Sequence, residues 1–267
     1  MNNLFKAHVT NPIVNFFGKR KAARKFSASP VLIGGCGRSG TTLLLSILSA
    51  HPSIFALPKE TNVFSIWKKG ENPYGNGKDY FYPERIDRLY RYVLSKSIPG
   101  SVTRWCEKSP PNVRYLDKIF TYFNDEVRFI HIIRDGRDVM TSRHPEKPDD
   151  FWVSPERWVN DVRMGLAYAD HPCVLTIRYE DLIQDHEKTL RTICEFLGEA
   201  YTEAFKDWFE NASVRRNQAW YKPLQKLHSG SVQKWTKPEF KARIEEVLAY
   251  PGVRELMEEL GYLPGGE

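Results

Sequence analysis

The sequence predicts a single α/β domain in which a parallel β-sheet is flanked by helices and carries a phosphate-binding loop. Three observations lead there. The apolar run Pro30-Val-Leu-Ile33 ends in Gly34-Gly35 and is followed by a helical stretch, Thr41 to Leu48, which is the order strand, glycine loop, helix. Further apolar strand-like runs at Val127 to Ile133 and Val174 to Ile177 are separated by helical segments of the length a parallel crossover needs. The chain's 267 residues, 41% hydrophobic and 27% charged, are enough for one substantial core and exclude collagen-like, disordered and disulfide-scaffold classes.

Taken in order, Gly18-Lys-Arg-Lys-Ala-Ala-Arg-Lys25 after Phe16-Phe17 reads as a basic leader, residues 1–29, ahead of a domain spanning 30–267. A charge run of this kind usually faces water, although residues 16–25 offer a peripheral contact to anionic lipid. The helix from Thr41 stops before His51-Pro52. Residues 70–77, rich in Gly, Asn, Pro and Tyr, form a surface loop. Helical spacing then places Ile86, Leu89, Tyr90, Val93 and Leu94 on one face, and Val113, Leu116, Phe120 and Phe123 on another. Helices follow around Pro155 to Ala169, at Leu190 to Leu197 closing on Gly198, and from Glu239 to Leu260 with a break at Pro251-Gly252.

A net charge of +6 points to anionic partners and leaves nucleic acid, a phosphorylated cofactor and a membrane surface open. The basic residues lack the aromatic interleaving of a single-strand platform, so nucleic acid is not the expected partner. Cys36, Cys106, Cys173 and Cys194 are scattered singly, with no metal-ligand spacing, and read as reduced thiols of a cytoplasmic protein. No run approaches a membrane span, and residues 1–17 lack the apolar core of an export signal.

The segment Gly35-Cys-Gly-Arg-Ser-Gly-Thr-Thr42 has the frame of a phosphate-binding loop, whose backbone N–H groups converge on an anion at a helix N-terminus. The triphosphatase form places a lysine after the second glycine; here that position is Thr41. Arg38, Ser39, Thr41 and Thr42 suit a smaller anionic group. These residues resemble the donor loop of sulfotransferases that use 3′-phosphoadenosine 5′-phosphosulfate (PAPS), in the branch reading Arg-Ser-Gly-Thr-Thr. The resemblance implies a sulfotransferase-type P-loop fold, no metal, and a loop from Gly37 through Arg38, Ser39, Gly40, Thr41 and Thr42 holding the sulfonate and 5′-phosphate.

A second segment, Arg134-Asp-Gly-Arg-Asp-Val-Met-Thr-Ser142, is similar to the family's 3′-phosphate element, which assigns Arg134 and Ser142 to that phosphate. Arg134 offers a planar fork for phosphate oxygens. Ile177-Arg-Tyr-Glu-Asp-Leu182 and Gly230-Ser-Val-Gln-Lys-Trp235 resemble softer elements, which imply that Tyr179 encloses the nucleotide and that Ser231 and Lys234 contact its phosphates. The resemblance runs from about Val31 to Trp235.

Sulfuryl transfer to a hydroxyl needs a base for the acceptor proton, cations for the departing phosphate, and alignment of both reactants. By resemblance to the tyrosylprotein and glycan branches, Glu60 is the base and Lys108 the stabilising lysine, with Arg38 as a further cation. His51 is the alternative base, although its Ala-His-Pro setting favours a helix-ending role; His131 reads as core. The acceptor is expected to be a glycan, glycolipid or small alcohol, with peptide tyrosine as an alternative. Pro58 and Asn62 depart from the tyrosylprotein pattern, where a cysteine and an arginine are usual. Trp67, Lys68, Lys69, Tyr74, Tyr80, Phe81 and Tyr82 are candidates to grip the acceptor. A kinase-like enzyme, with Asp135 binding magnesium, is the competing enzyme class.

Overall fold

The computed structural model describes residues 9–64, 87–144, 147–215 and 229–265. Five parallel strands form one sheet in the order β2-β3-β1-β4-β5, with β1 Val31–Gly34, β2 Ile54–Ala56, β3 Arg104–Lys108, β4 Arg128–Ile133 and β5 Val174–Arg178. The helices are α1 Asn11–Lys25, α2 Thr41–Leu48, α3 Asp87–Ser95, α4 Leu116–Phe123, α5 Gly136–Met140, α6 Pro155–Leu166, α7 Tyr179–Gln184, α8 His186–Leu197, α9 Trp208–Asn211, α10 Lys241–Leu248 and α11 Val253–Glu259.

Strand alternation divides the core between the two faces. Val31, Ile33, Ile130 and Ile132 point to one side, where Leu44, Leu45 and Leu48 of α2 and Leu190 and Ile193 of α8 cover them. Leu32 and Phe129 point to the other, against Leu89 and Val93 of α3 and Ile119 of α4. A third cluster joins Val139, Trp158, Val162, Val247 and Leu256 of α5, α6, α10 and α11 beside the strand ends. Gly198 closes α8 at φ 68° and Gly252 opens α11 at φ 82°, which explains the two glycine signals in the sequence.

Two features differ from the sequence reading. The strands β2 and β3 were not foreseen: β2 is an apolar run of only three residues, and the apolar residues of β3 stand between charged ones. All five residues of β3 are buried, yet three are charged; Arg104 is satisfied by Glu199 at 2.7 Å, and Glu107 and Lys108 are satisfied at the site below. The basic stretch read as a solvated leader forms α1, whose Gly18 and Ala22 are buried against α3. A Cβ at Gly18 would lie 2.2 Å from Tyr90 Cβ, so glycine permits the close approach.

Candidate active site

The carboxyl ends of three adjacent strands build the site, as parallel α/β sheets do. β1 runs into the glycine loop, β3 ends in Lys108, and β4 leads into Arg134. Because β1 and β3 pair in parallel with Ile33 opposite Lys108, a residue far away in sequence arrives beside the loop. Lys108 Nζ donates to Thr42 Oγ1 at 2.9 Å and forms an ion pair with Glu60. The Lys108 residue is 1% exposed, whereas the Glu60 side chain is 31% exposed and faces the solvent side of the pair.

The loop needs its glycines. Gly40 has φ 98°, and a Cβ there would fall 2.4 Å from Tyr179 Cδ2; a Cβ at Gly37 would meet Arg157 Nη2 at 2.6 Å. Arg38 itself adopts φ 70°, a strained conformation for a side-chain-bearing residue that is typical of functional loops. Ser39, Thr41 and Thr42 are all buried.

Arg134 is the centre of the second half of the site. Its guanidinium donates to Arg38 O at 3.0 Å and to Ser231 O, lies 3.6 Å from Asp138, and stacks 4.2 Å above the Tyr179 ring. The Tyr179 hydroxyl is 2.7 Å from Ser231 Oγ, and Lys234 Nζ donates to Ser142 Oγ at 2.7 Å. Asp138 accepts from the backbone N–H groups of Gln233 at 2.9 Å and Trp235 at 3.1 Å, fixing the segment that carries Ser231 and Lys234. The structure thus places Arg134, Ser142, Tyr179, Ser231 and Lys234 together, with Arg38 linking them to the loop. Helix α5 ends at Met140, so Ser142 reaches the cluster from the turn after the helix.

Electrostatics mark this cluster as a place for anions. Burial, with Arg134 nearby, lowers the Arg38 pKa, and burial with the same neighbour pushes the Lys234 ammonium down to about 8. Neighbouring cations depress one another, and Asp138 offsets only part of that effect at Lys234. The buried polar atoms Arg38 Nε, Ser39 Oγ and Arg134 Nε have no hydrogen-bond partner among the described residues, which is costly unless an acceptor meets them. These donors fit an anionic group with several acceptor oxygens, such as a phosphate.

Sequence reasoning missed Glu107. It is fully buried and accepts from Thr61 N at 3.0 Å, Thr61 Oγ1 at 2.8 Å, Ser109 Oγ at 2.6 Å and Asn112 Nδ2 at 2.9 Å. Thr61 adjoins Glu60, so this carboxylate tethers the segment bearing the proposed base to the end of β3. Its position immediately before Lys108 is the one sequence signal available.

Of the other candidates, His51 Nε2 lies 2.9 Å from Ala200 O, and its Nδ1 accepts from Ser53 N at 3.2 Å, a helix-ending arrangement that occupies both ring nitrogens. His131 is buried in β4, its pKa lowered to about 4 by that burial. Asp135 caps α5 by accepting from Arg137 N at 2.8 Å and pairs with the Arg137 guanidinium at 2.7 Å; Arg137 stacks on Trp235 and donates to Tyr262 O. Trp67, Lys68, Lys69, Tyr74, Tyr80, Phe81 and Tyr82 lie outside the described residues. All four cysteines are free and buried, and no group of metal-ligating side chains occurs among the described residues.

Comparison with known proteins agrees with this geometry. Residues 30–203 match the Sulfotransferase family. The chain is 27% identical over 191 residues to protein-tyrosine sulfotransferase A of Caenorhabditis elegans, covering 62% of this chain and 49% of that one. It is 26% identical over 197 residues to protein-tyrosine sulfotransferase 1 of Danio rerio, covering 65% and 54%. The chain thus spans about half the length of these relatives. Among solved structures, the sulfotransferase domain of the Synechococcus PCC 7002 olefin synthase superposes with TM-score 0.57 at 21% identity, covering 85% of this chain and 96% of that one. Mouse sulfotransferase SULT7A1 complexed with PAP superposes with TM-score 0.52 at 16% identity, covering 88% and 89%. The glycine loop, the parallel five-stranded sheet and the family match over more than half of its length establish that this chain belongs to the sulfotransferase family.

Proposed function

We propose that this protein is a PAPS-dependent sulfotransferase that transfers a sulfonate group to a hydroxyl acceptor. The observation that carries the reading is the convergence of Arg38, Arg134 and Lys234 at the glycine loop, where Arg38 Nε, Ser39 Oγ and Arg134 Nε have no hydrogen-bond partner among the described residues, beside the Glu60–Lys108 pair. The donor supplies the activated sulfonate and departs as adenosine 3′,5′-bisphosphate.

In this reading the loop from Gly37 to Thr42 binds the 5′ end of the nucleotide through its backbone and through Ser39, Thr41 and Thr42. Arg134, Ser142, Ser231 and Lys234 bind the 3′-phosphate, and Tyr179 buttresses Arg134 from below. Glu60 takes the acceptor proton on a carboxylate oxygen. Lys108, held against Thr42, neutralises charge where the loop meets the base; such preorganised charge is usually the largest catalytic contribution.

The kinase alternative is disfavoured by Thr41 in the lysine position and by Asp135, whose carboxylate is committed to the α5 cap and to Arg137. For the acceptor we favour a glycan, glycolipid or small alcohol. The names of the tyrosine-specific relatives make a peptide tyrosine the second candidate, although the free Cys106 and Pro58 depart from that branch. The four free thiols support a reducing, cytoplasmic setting. No helix among the described residues is long and apolar enough to cross a membrane.

The test is calorimetric titration with adenosine 3′,5′-bisphosphate in chelator, beside ATP with magnesium and beside Arg134→Ala, followed by a hydroxyl-acceptor screen with labelled PAPS. Bisphosphate binding abolished by Arg134→Ala is expected. Tighter magnesium-dependent ATP binding would replace this reading with the kinase one.

A further inference from the structure

The helix α1 has two dissimilar faces. Gly18 and Ala22 are buried against the body. Lys21 Nζ donates to the carbonyls of Val93 and Leu94 at 3.3 and 3.1 Å, and Lys25 Nζ to Pro99 and Val102 at 2.7 and 3.2 Å, so two lysines pin the helix at the carboxyl end of α3. On the other face, Ile13, Phe16 and Phe17 are 52%, 61% and 58% exposed. With Val9 they make four of the six large apolar side chains that are exposed among the described residues. Arg20 and Arg24 continue the same face at i, i+4 spacing from Phe16, and Lys19 flanks it. Residues 11–25 contain five cations and no carboxylate.

We propose that this face docks on an anionic lipid bilayer, with Ile13, Phe16 and Phe17 entering the headgroup boundary and Arg20 and Arg24 contacting lipid phosphates and carboxylates. Exposed apolar side chains clustered in this way mark an interaction surface. Alternative occupants satisfy only half of it. A nucleic acid would neutralise the cations and leave the two phenylalanines in water, and a second copy of this +6 chain would set cation against cation. A bilayer with acidic headgroups offers hydrocarbon and negative charge together. The docked face of α1 holds the helix parallel to the body surface, as an interfacial helix requires.

The experiment is co-sedimentation of the full chain with large vesicles of phosphatidylcholine alone and of phosphatidylcholine with roughly a third phosphatidylserine, at low and high salt. Binding to the anionic vesicles only, weakened by salt, is expected. The pairs Phe16→Ser/Phe17→Ser and Arg20→Glu/Arg24→Glu should each weaken it by about tenfold or more while leaving the thermal melting midpoint unchanged, because these side chains are exposed. The proposal is overturned by no association with anionic vesicles, by equal association with neutral ones, or by association that neither pair diminishes. Concentration-dependent dimerisation lost in the phenylalanine pair, without vesicle binding, would assign the face to a second copy. Duplex oligonucleotide binding lost only in the arginine pair would assign it to nucleic acid.

Discussion

Replacing Glu60 by Gln removes the proposed base with almost no change of shape. Lys108, at 1% exposure, then keeps Thr42 Oγ1 at 2.9 Å and an amide oxygen but loses its anion. A positioned general base contributes about 10²–10⁴ in rate, or about 3–5 kcal/mol, and that loss should fall on kcat. The stability cost is smaller, because Glu60 is partly exposed and Gln still accepts a hydrogen bond: about 1–2 kcal/mol. At about 2–4 °C per kcal/mol for a domain of this size, the melting midpoint should drop by several degrees. Bisphosphate affinity should hold within about threefold, since Glu60 lies outside the phosphate-binding cluster. The assay is steady-state turnover of PAPS with any acceptor found by screening, beside calorimetry of the bisphosphate. A kcat within about threefold of the parent would refute the assignment, as would a loss confined to nucleotide affinity.

Four further outcomes follow from the same geometry. Lys234, with its pKa pushed down to about 8, should lose its proton as pH rises through that value, so bisphosphate affinity should fall by about tenfold or more between pH 7 and 10 and Lys234→Met should flatten that dependence in calorimetry. The sign for stability is opposite: the buried ammonium is penalised in the ligand-free fold, so this group's destabilising contribution is full below 8 and is relieved as pH rises towards the ordinary value of 10.5. Gly40→Ala should cost about 2–4 kcal/mol in urea unfolding, combining φ 98° with a Cβ placed 2.4 Å from Tyr179; an unchanged midpoint would contradict the close approach. Glu107→Gln should turn an amide NH₂ towards a donor, Thr61 or Asn112, lowering kcat by about tenfold with bisphosphate affinity unchanged, whereas a merely structural role would lower both. The fully buried Cys36 and Cys106 thiols, held well above 9.0 by burial, should resist alkylation at pH 8 until the protein unfolds.

The sheet's centre was legible because Val31 to Ile33 and Phe129 to Ile133, the latter interrupted only by His131, are largely apolar runs buried on both faces, the pattern of parallel strands. The edge side was not. β2 is three residues long, and β3 hides Arg104, Glu107 and Lys108 in the interior by pairing each with a side chain from another segment. Periodicity cannot register a strand whose charges are neutralised through tertiary contacts. The site was legible where its residues stand inside a local motif, as do Arg38 to Thr42 and Arg134 to Ser142. Tyr179, Ser231 and Lys234 were found only through resemblance, since their grouping depends on β5 and the late loop meeting at Arg134. The docked face of helix α1 was not legible, because its charge run, exposed at Lys19, Arg20 and Arg24, conceals Gly18 and Ala22, and their small size matters only once α3 lies against them.

The absent loop lysine has a structural counterpart. In the triphosphatase arrangement one side chain inside the loop carries the cation; here β1's two neighbours carry it, β3 through Lys108 and β4 through Arg134. Parallel register makes this possible, since Ile33 lies opposite Lys108 and Gly34 opposite His131, so cations enter from both sides of the loop rather than along it. The consequence is a division of labour. Lys108 is neutralised by Glu60, the proposed base. Arg38, Arg134 and Lys234 crowd one another, with Asp138 3.6 Å from Arg134. A cluster of that kind costs stability when ligand-free and regains it with a polyanion. Bisphosphate should therefore stabilise the fold most strongly below pH 8, where Lys234 is charged, and the thermal shift it produces should shrink in Lys234→Met. An equal shift in that variant at pH 7 would mean that the mutual repulsion of these cations is not what the nucleotide relieves.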